Sequence, residues 1–265
     1  MGAVAFRWFI APRAGYARAL DDALGRLTGA AAAFLALVVV PRLWLQASAL
    51  AMEPGDAWKL LPKVVATTWG AGATYQGAAA AAMIFGIRLA RKKDADAGWA
   101  LAAAAALVMC ATPGLMGHAN AVEGARFPSL ALDFVHVLAA GAWVGGLVPL
   151  AFIARTADGD ATARFIAAFH RLATACVIAI LATGIAALLL RFGGPVPLIG
   201  TRYGLVMATK LAAVAIVLAL GYTHLRTGEA RARSGSVAQS LAREALVAFI
   251  VIAITSALIA TEPPA

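Results

Sequence analysis

The sequence predicts an all-α membrane protein, a polytopic bundle of about seven transmembrane helices with a cytoplasmic N-terminus. Of its 265 residues, 62% are hydrophobic and only 13% are charged, and the mean hydropathy is +0.84. A soluble domain does not carry so many apolar side chains. The 22 basic residues outnumber the 13 acidic ones, but they lie between apolar runs. This placement indicates the lipid bilayer as the partner, and no nucleic acid is expected to bind.

Seven apolar stretches are long enough to cross the lipid core as helices, because a span takes about 20 apolar residues. They lie at about 28–50, 64–88, 98–116, 129–154, 164–190, 203–225 and 241–260. The connections between them are too short for a second folded domain. We therefore assign residues 27–265 to one transmembrane domain. Residues 1–26 mix aromatic and arginine side chains, which predicts a cytoplasmic segment lying on the membrane surface.

The basic residues predict the orientation of the bundle. With a cytoplasmic N-terminus, fifteen of the twenty-two basic residues fall in segments that face the cytoplasm. This excess is expected for cytoplasmic loops of a membrane protein. Seven spans then place the C-terminus outside.

Four histidines divide between the two sides of the predicted membrane. His118 lies at the outer end of the third span, and His136 lies about 10 Å into the fourth from its outer end. His170 and His224 lie near the inner ends of the fifth and sixth spans, where a histidine can also simply meet the interface. Ionisable groups inside a bilayer are costly, so each one is a candidate functional residue.

The residues around the outer pair indicate a copper site. Met116 precedes His118 by two residues, and Asp133 precedes His136 by one helical turn. Imidazole and thioether ligands suit a soft ion such as Cu(I). Asp133 can orient the imidazole or act as a ligand itself. We predict His118, His136, Met116 and Asp133 as metal-site residues, although a methionine in a membrane helix can also serve packing alone.

Charged side chains are also predicted at one depth below the outer surface. Lys210 lies in a seam of the sixth span, at a depth close to that of Arg42 and Asp133. The three are expected to form an interior charge cluster. The cluster either ties helices together or faces an anionic group.

The chain resembles the bacterial copper resistance protein D family. The resemblance rests on Gly117-His118-Ala119, on His136 followed by Trp143-Val144-Gly145-Gly146-Leu147, on Thr183-Gly184, and on Arg202-Tyr203-Gly204 followed by Lys210. It covers about residues 100–262. It implies an inner-membrane helical protein of copper homeostasis that moves copper from the periplasm toward the cytoplasm. A periplasmic copper-binding protein is an implied partner.

Two further function classes stay open at this stage. A membrane protein that binds haem b could use His118, His136, His170 and His224 as axial ligands, since bis-histidine ligation needs histidines from two helices at matched depth. A scaffold protein would tolerate the loss of all four. We find no Gly-x-x-x-x-Gly-Lys-Ser/Thr loop, which argues against ATP-driven pumping by this chain. We expect no enzymatic activity unless the haem alternative holds.

Overall fold

The computed structural model describes residues 1–14, 20–92, 94–117, 124–192, 202–233 and 237–259. Every regular element in these ranges is a helix. A short α1 (Gly2–Ala5) continues into a π-helical turn (Phe6–Ile10) and a 3-10 turn (Pro12–Ala14). The longer helices are α2 (Asp21–Leu50), α3 (Ala57–Val65), α4 (Thr68–Lys92), α5 (Ala95–Met116), α6 (Arg126–Thr156), α7 (Gly159–Phe192), α8 (Arg202–Arg233) and α9 (Val237–Ile259).

These helices confirm the all-α membrane bundle. Within the described ranges, six of them are long and apolar enough to cross a membrane, namely α2, α5, α6, α7, α8 and α9. The remaining predicted span, 64–88, is represented by α4, whose 25 residues reach about 37 Å. This helix carries Tyr75, Gln76 and Arg88 among its small residues and is not among the six helices that meet the length and composition of a membrane span.

The chain divides into two compact units, which we describe separately. The first unit comprises Met1 and Arg18–Leu138, and the second comprises Gly2–Ala17 and Ala139–Ala265. The division falls inside α6, between Leu138 and Ala139.

In the first unit, α4 and α5 form a tight antiparallel pair. Asp94 begins α5 by accepting hydrogen bonds from the backbone N–H groups of Asp96 and Ala97, both at 3.0 Å, as a helix N-cap does. A Cβ added at Gly98 would lie 2.5 Å from the Cα of Ala90 and 2.5 Å from the carbonyl oxygen of Gly86. The two backbones therefore approach as closely as glycine allows.

The short helix α3 packs against the end of α2 and the start of α4. Its buried residues Ala57 and Val64 join Ala47 of α2 in a small apolar core. The rings of Trp44 and Trp58 lie 4.4 Å apart. This packing fixes the connection between α2 and α4 on the side that the predicted topology places outside.

In the second unit, the N-terminal segment is buried against α6 and α7. Phe6 is fully buried, with its ring stacked on that of Phe165 at 5.7 Å. Gly2 contacts the backbone of Gly145, and Arg7 is only 8% exposed. These first residues therefore differ from the segment on the membrane surface that the sequence led us to expect.

Within the second unit, the start of α7 and the end of α8 are joined by polar contacts. Arg233, at the end of α8, pairs with Asp160 in the first turn of α7 at 3.3 Å. Gly159 lies against the backbone of Arg233. These contacts hold α7 and α8 together at the ends assigned to the cytoplasm.

Candidate functional site

The outer end of α5 carries three residues that contact neighbouring helices of the first unit. Thr112, Gly114 and Met116 occupy the last turn and a half of this helix. Thr112 and Met116 are four residues apart and so share one face, while Gly114 lies on another. The two faces contact α4 and α6 respectively, which makes this end of α5 the place where predicted site residues meet.

Met116 is held against α4 at Gly72. A Cβ added at Gly72 would lie 2.7 Å from Cγ of Met116 and 3.4 Å from its Sδ. Glycine at this position leaves room for the thioether. The side chain of Met116 is therefore held in place between α5 and α4.

Asp133 of α6 reaches α5 at Gly114. Its Oδ2 lies 3.0 Å from the position that a Cβ on Gly114 would occupy. The side chains of Asp133 and His136 are both half-buried, and His136 follows one turn later on α6, as the sequence predicts. Asp133 therefore contacts α5 two residues before Met116.

A polar chain reaches the same end of α5 from α2. Arg42 Nη1 donates a hydrogen bond to Oε1 of Gln76 at 3.0 Å, and Gln76 Nε2 donates to Oγ1 of Thr112 at 3.4 Å. The guanidinium of Arg42 also lies over the ring of Trp69, 5.8 Å from its centroid. Thr112, 1% exposed, in turn donates to the carbonyl oxygen of Met109 at 2.9 Å.

These hydrogen bonds change the interpretation of the predicted charge cluster. The partners of Arg42 in the structure are a neutral amide and an aromatic ring, which solvate its guanidinium within α2 and α4 without neutralising its charge. Lys210 belongs to the second unit, and its pairing with Asp133 stays a prediction. Sequence reasoning missed Gln76 and Thr112. Gln76 could have been identified from the sequence, since it is a large amide in an alanine-rich helix. A buried amide needs a hydrogen-bonding partner.

The predicted metal residues are brought together only in part. Met116 is the last residue of α5, and Asp133 contacts the same helix two residues earlier, at Gly114. His136 lies one turn from Asp133 on α6. His118 lies outside the described residues. Within the described part of the chain there is no group of three or more histidine, cysteine, aspartate or glutamate side chains placed to hold a metal ion. The described donors at this end are a thioether that packs against α4, a carboxylate that contacts α5 at Gly114, and an imidazole one turn further along α6.

The inner pair of histidines leads to a different feature. His170 lines a cavity of about 200 Å³ in the second unit, between α6, α7, α8 and α9. The side chain of His224 lies outside the described residues.

Glu244 of α9 lines the same cavity and was also missed at the sequence level. It is 3% exposed, and its Oε1 lies 3.5 Å from the position of a Cβ on Gly221 of α8. The sequence could have indicated Glu244, because it is the only acidic residue in the 241–260 stretch.

Comparison with protein families gives two matches along the chain. The family description "Copper resistance protein D" matches residues 163–258. The description "Copper resistance protein D-like, N-terminal domain" matches residues 1–128. No curated protein and no solved structure matches the chain significantly.

Proposed function

Because this chain belongs to the copper resistance protein D family, we propose that it transports copper across the bacterial inner membrane, from the periplasm toward the cytoplasm. The chain is a multi-pass membrane protein of a copper-handling family. The distribution of basic residues supports a cytoplasmic N-terminus. In this proposal the protein is a transporter and not an enzyme, and a periplasmic copper-binding protein delivers the ion.

One observation carries the proposal: the last turn and a half of α5 is contacted by Asp133 of α6 at Gly114 and, on another face, packs Met116 against Gly72 of α4. Both α4 and α6 thus contact this end of α5. His136 lies on the same helix as Asp133, one turn away. The end of the bundle that the proposed topology turns toward the periplasm thus holds donors for a copper ion.

The chemistry of these donors supports monovalent copper. Thioether and neutral imidazole are soft or borderline ligands that favour Cu(I), whereas hard cations ask for several oxygens. The carboxylate of Asp133 either completes the ligand set or orients an imidazole through its ring N–H. We propose His118, His136 and Met116 as ligands, with Asp133 in one of these two roles.

Copper binding by the full chain in lipid nanodiscs tests the proposal. Cu(I) is supplied from a chromogenic chelator, and the copper retained per chain is compared between the native protein and the His118→Ala, His136→Ala double variant. We expect the double variant to lose at least about 10-fold in affinity at this site, because removing groups around a bound metal costs roughly 10–100-fold. Uptake of copper into proteoliposomes should fall in parallel.

The comparison requires equal folding of the two proteins. Helical content and elution as a single species must match, since a misfolded variant would also lose copper. Unchanged copper binding and uptake in the double variant would overturn the proposed site. An intense Soret band in the native protein, lost in the double variant, would identify a haem protein instead, because Cu(I) gives no such band.

A further inference from the structure

The cavity beside His170 combines a buried carboxylate with an imidazole. Four helices of the second unit surround it, and most of its wall is apolar, including Trp143, Leu150 and Phe169. Glu244 and His170 are the carboxylate and the imidazole that line it. A carboxylate that is 3% exposed needs polar or charged groups around it, and intramembrane acidic groups commonly mark ion pathways.

The position of the cavity is on the side assigned to the cytoplasm. Glu244 comes seven residues after the start of α9 at Val237, or about 10 Å along the helix. His170 comes eleven residues after the start of α7 at Gly159, or about 16 Å. Both helices begin at the ends that the proposed topology turns inward. The cavity therefore lies toward the inner ends of α7 and α9.

The charges around the cavity favour a cation inside it. Arg171 and Arg243, the sequence neighbours of His170 and Glu244, are exposed and do not line the cavity. Arg226 is also exposed and donates a hydrogen bond to the hydroxyl of Tyr222 at the cavity wall, at 3.1 Å. The carboxylate of Glu244 is removed from water and acts at a lower effective dielectric constant. Glu244 is the acidic side chain that lines the cavity, and its negative charge favours a cation there.

We propose that this cavity is a second copper site, at which the ion is held by Glu244 and His170 before release to the cytoplasm. This inference rests on the proposed transport function. The donors are nitrogen and oxygen atoms, with the hydroxyls of Tyr222 and Thr174 also in the wall. They differ from the thioether-containing set at α5. A water occupies about 30 Å³ in the liquid, so about 200 Å³ admits an ion with a few waters.

The site is expected to bind copper more weakly than the outer one. It offers a carboxylate and an imidazole with no thioether, and Cu(I) prefers soft ligands. Weak binding suits a release site, since conduction needs an ion to leave as well as to enter. The negative charge of Glu244 also compensates the charge of the ion near the basic residues of the inner surface.

Isosteric variants of the full chain in nanodiscs test this site. Glu244→Gln removes the charge while keeping the size of the side chain, and His170→Asn removes the imidazole. Glu229→Gln is the matched control, because Glu229 lies on α8 and is exposed. With excess Cu(I), the copper retained per chain should fall by about half in Glu244→Gln and in His170→Asn, as expected when one of two ligand sets is lost. It should stay unchanged in Glu229→Gln.

X-ray absorption of the remaining copper separates the two sites. In a His118→Ala, His136→Ala, Met116→Leu variant, the copper still bound should have only nitrogen and oxygen neighbours. Full copper retention in both Glu244→Gln and His170→Asn would overturn the inner site and leave the proposed transport function standing. Loss in these two variants, with full retention in the His118→Ala, His136→Ala variant, would instead sustain the inner site and overturn the proposed outer one.

Discussion

At the scale of single residues, the sulfur of Met116 can be tested as a copper ligand separately from its role in packing. Met116→Leu removes the sulfur and keeps the volume close to that of methionine. Met83→Leu is its control, since Met83 is a buried methionine of α4. We expect Cu(I) affinity to fall at least about 10-fold in Met116→Leu and to stay unchanged in Met83→Leu. Chelator competition measures both values, and equal affinities would assign Met116 to packing alone.

Gln76 accepts a hydrogen bond from Arg42, and its loss should be measurable. In Gln76→Leu the guanidinium keeps Trp69 but loses its amide acceptor, which costs about 1–3 kcal/mol for a buried polar group. The midpoint of thermal unfolding in detergent should therefore drop. The Arg42→Leu, Gln76→Leu double variant should recover part of the loss, as a double-mutant cycle requires for coupled residues. Strictly additive effects would show that the hydrogen bond at 3.0 Å does not stabilise the fold.

At this scale the sequence predicted the identity of important residues better than their partners. Asp133 and Met116 were expected to lie near each other, and the structure brings both to the outer end of α5. The partner of Arg42 was not predicted, because the depth of a residue in a span does not determine the direction of its side chain. Glu244 was missed for a related reason: it lies beside Arg243 and reads as part of an exposed helix end until packing shows that it is buried.

At the scale of helices, the packing around Gly98 and Gly29 predicts opposite effects of an alanine substitution on stability. Gly98→Ala would place a Cβ against backbone atoms that cannot move aside, so α4 and α5 must separate at a cost of about 1–3 kcal/mol. At Gly29 of α2 the nearest atom, on Ile87, is 4.0 Å away, and there alanine gains up to about 1 kcal/mol of helix propensity.

Thermal unfolding in detergent measures this contrast. Gly98→Ala should lower the unfolding midpoint, while Gly29→Ala should leave it unchanged or raise it. A Gly98→Ala protein as stable as the native one would mean that α4 and α5 are not packed as closely as described.

The helices themselves were largely predictable, and their exceptions have physical causes. Six of the seven predicted spans correspond to helices that meet the length and polarity of a membrane crossing. The span at 64–88 corresponds to α4, which buries its small residues against α5 and so needs fewer large apolar side chains. The burial of residues 2–7, 10, 11 and 14 was not predictable from composition, because aromatic and basic residues suit a membrane surface equally well. Their burial depends on the small residues of α6, such as Gly145, that allow close approach.

At the scale of the whole molecule, the predicted orientation is testable with single cysteines. The native cysteines, Cys110 and Cys176, are both buried and can be replaced to give a silent background. Met52 is 99% exposed in the connection between α2 and α3, and Glu229 is exposed near the end of α8. A membrane-impermeant maleimide added to spheroplasts should label Met52→Cys and leave Glu229→Cys unlabelled. Labelling of Glu229→Cys alone would show that the topology is the inverse of the predicted one.

The contact between Gly114 and Asp133 has an evolutionary consequence. A Cβ at position 114 would lie 3.0 Å from Oδ2 of Asp133 and 3.1 Å from Leu130, so a larger residue there displaces the acid. Substitutions at the two positions should therefore be correlated among descendants of a common ancestor. Lineages that keep the aspartate are expected to keep the glycine, and lineages that gain a side chain at 114 are expected to replace the aspartate. An alignment in which the two positions vary independently would contradict this pairing.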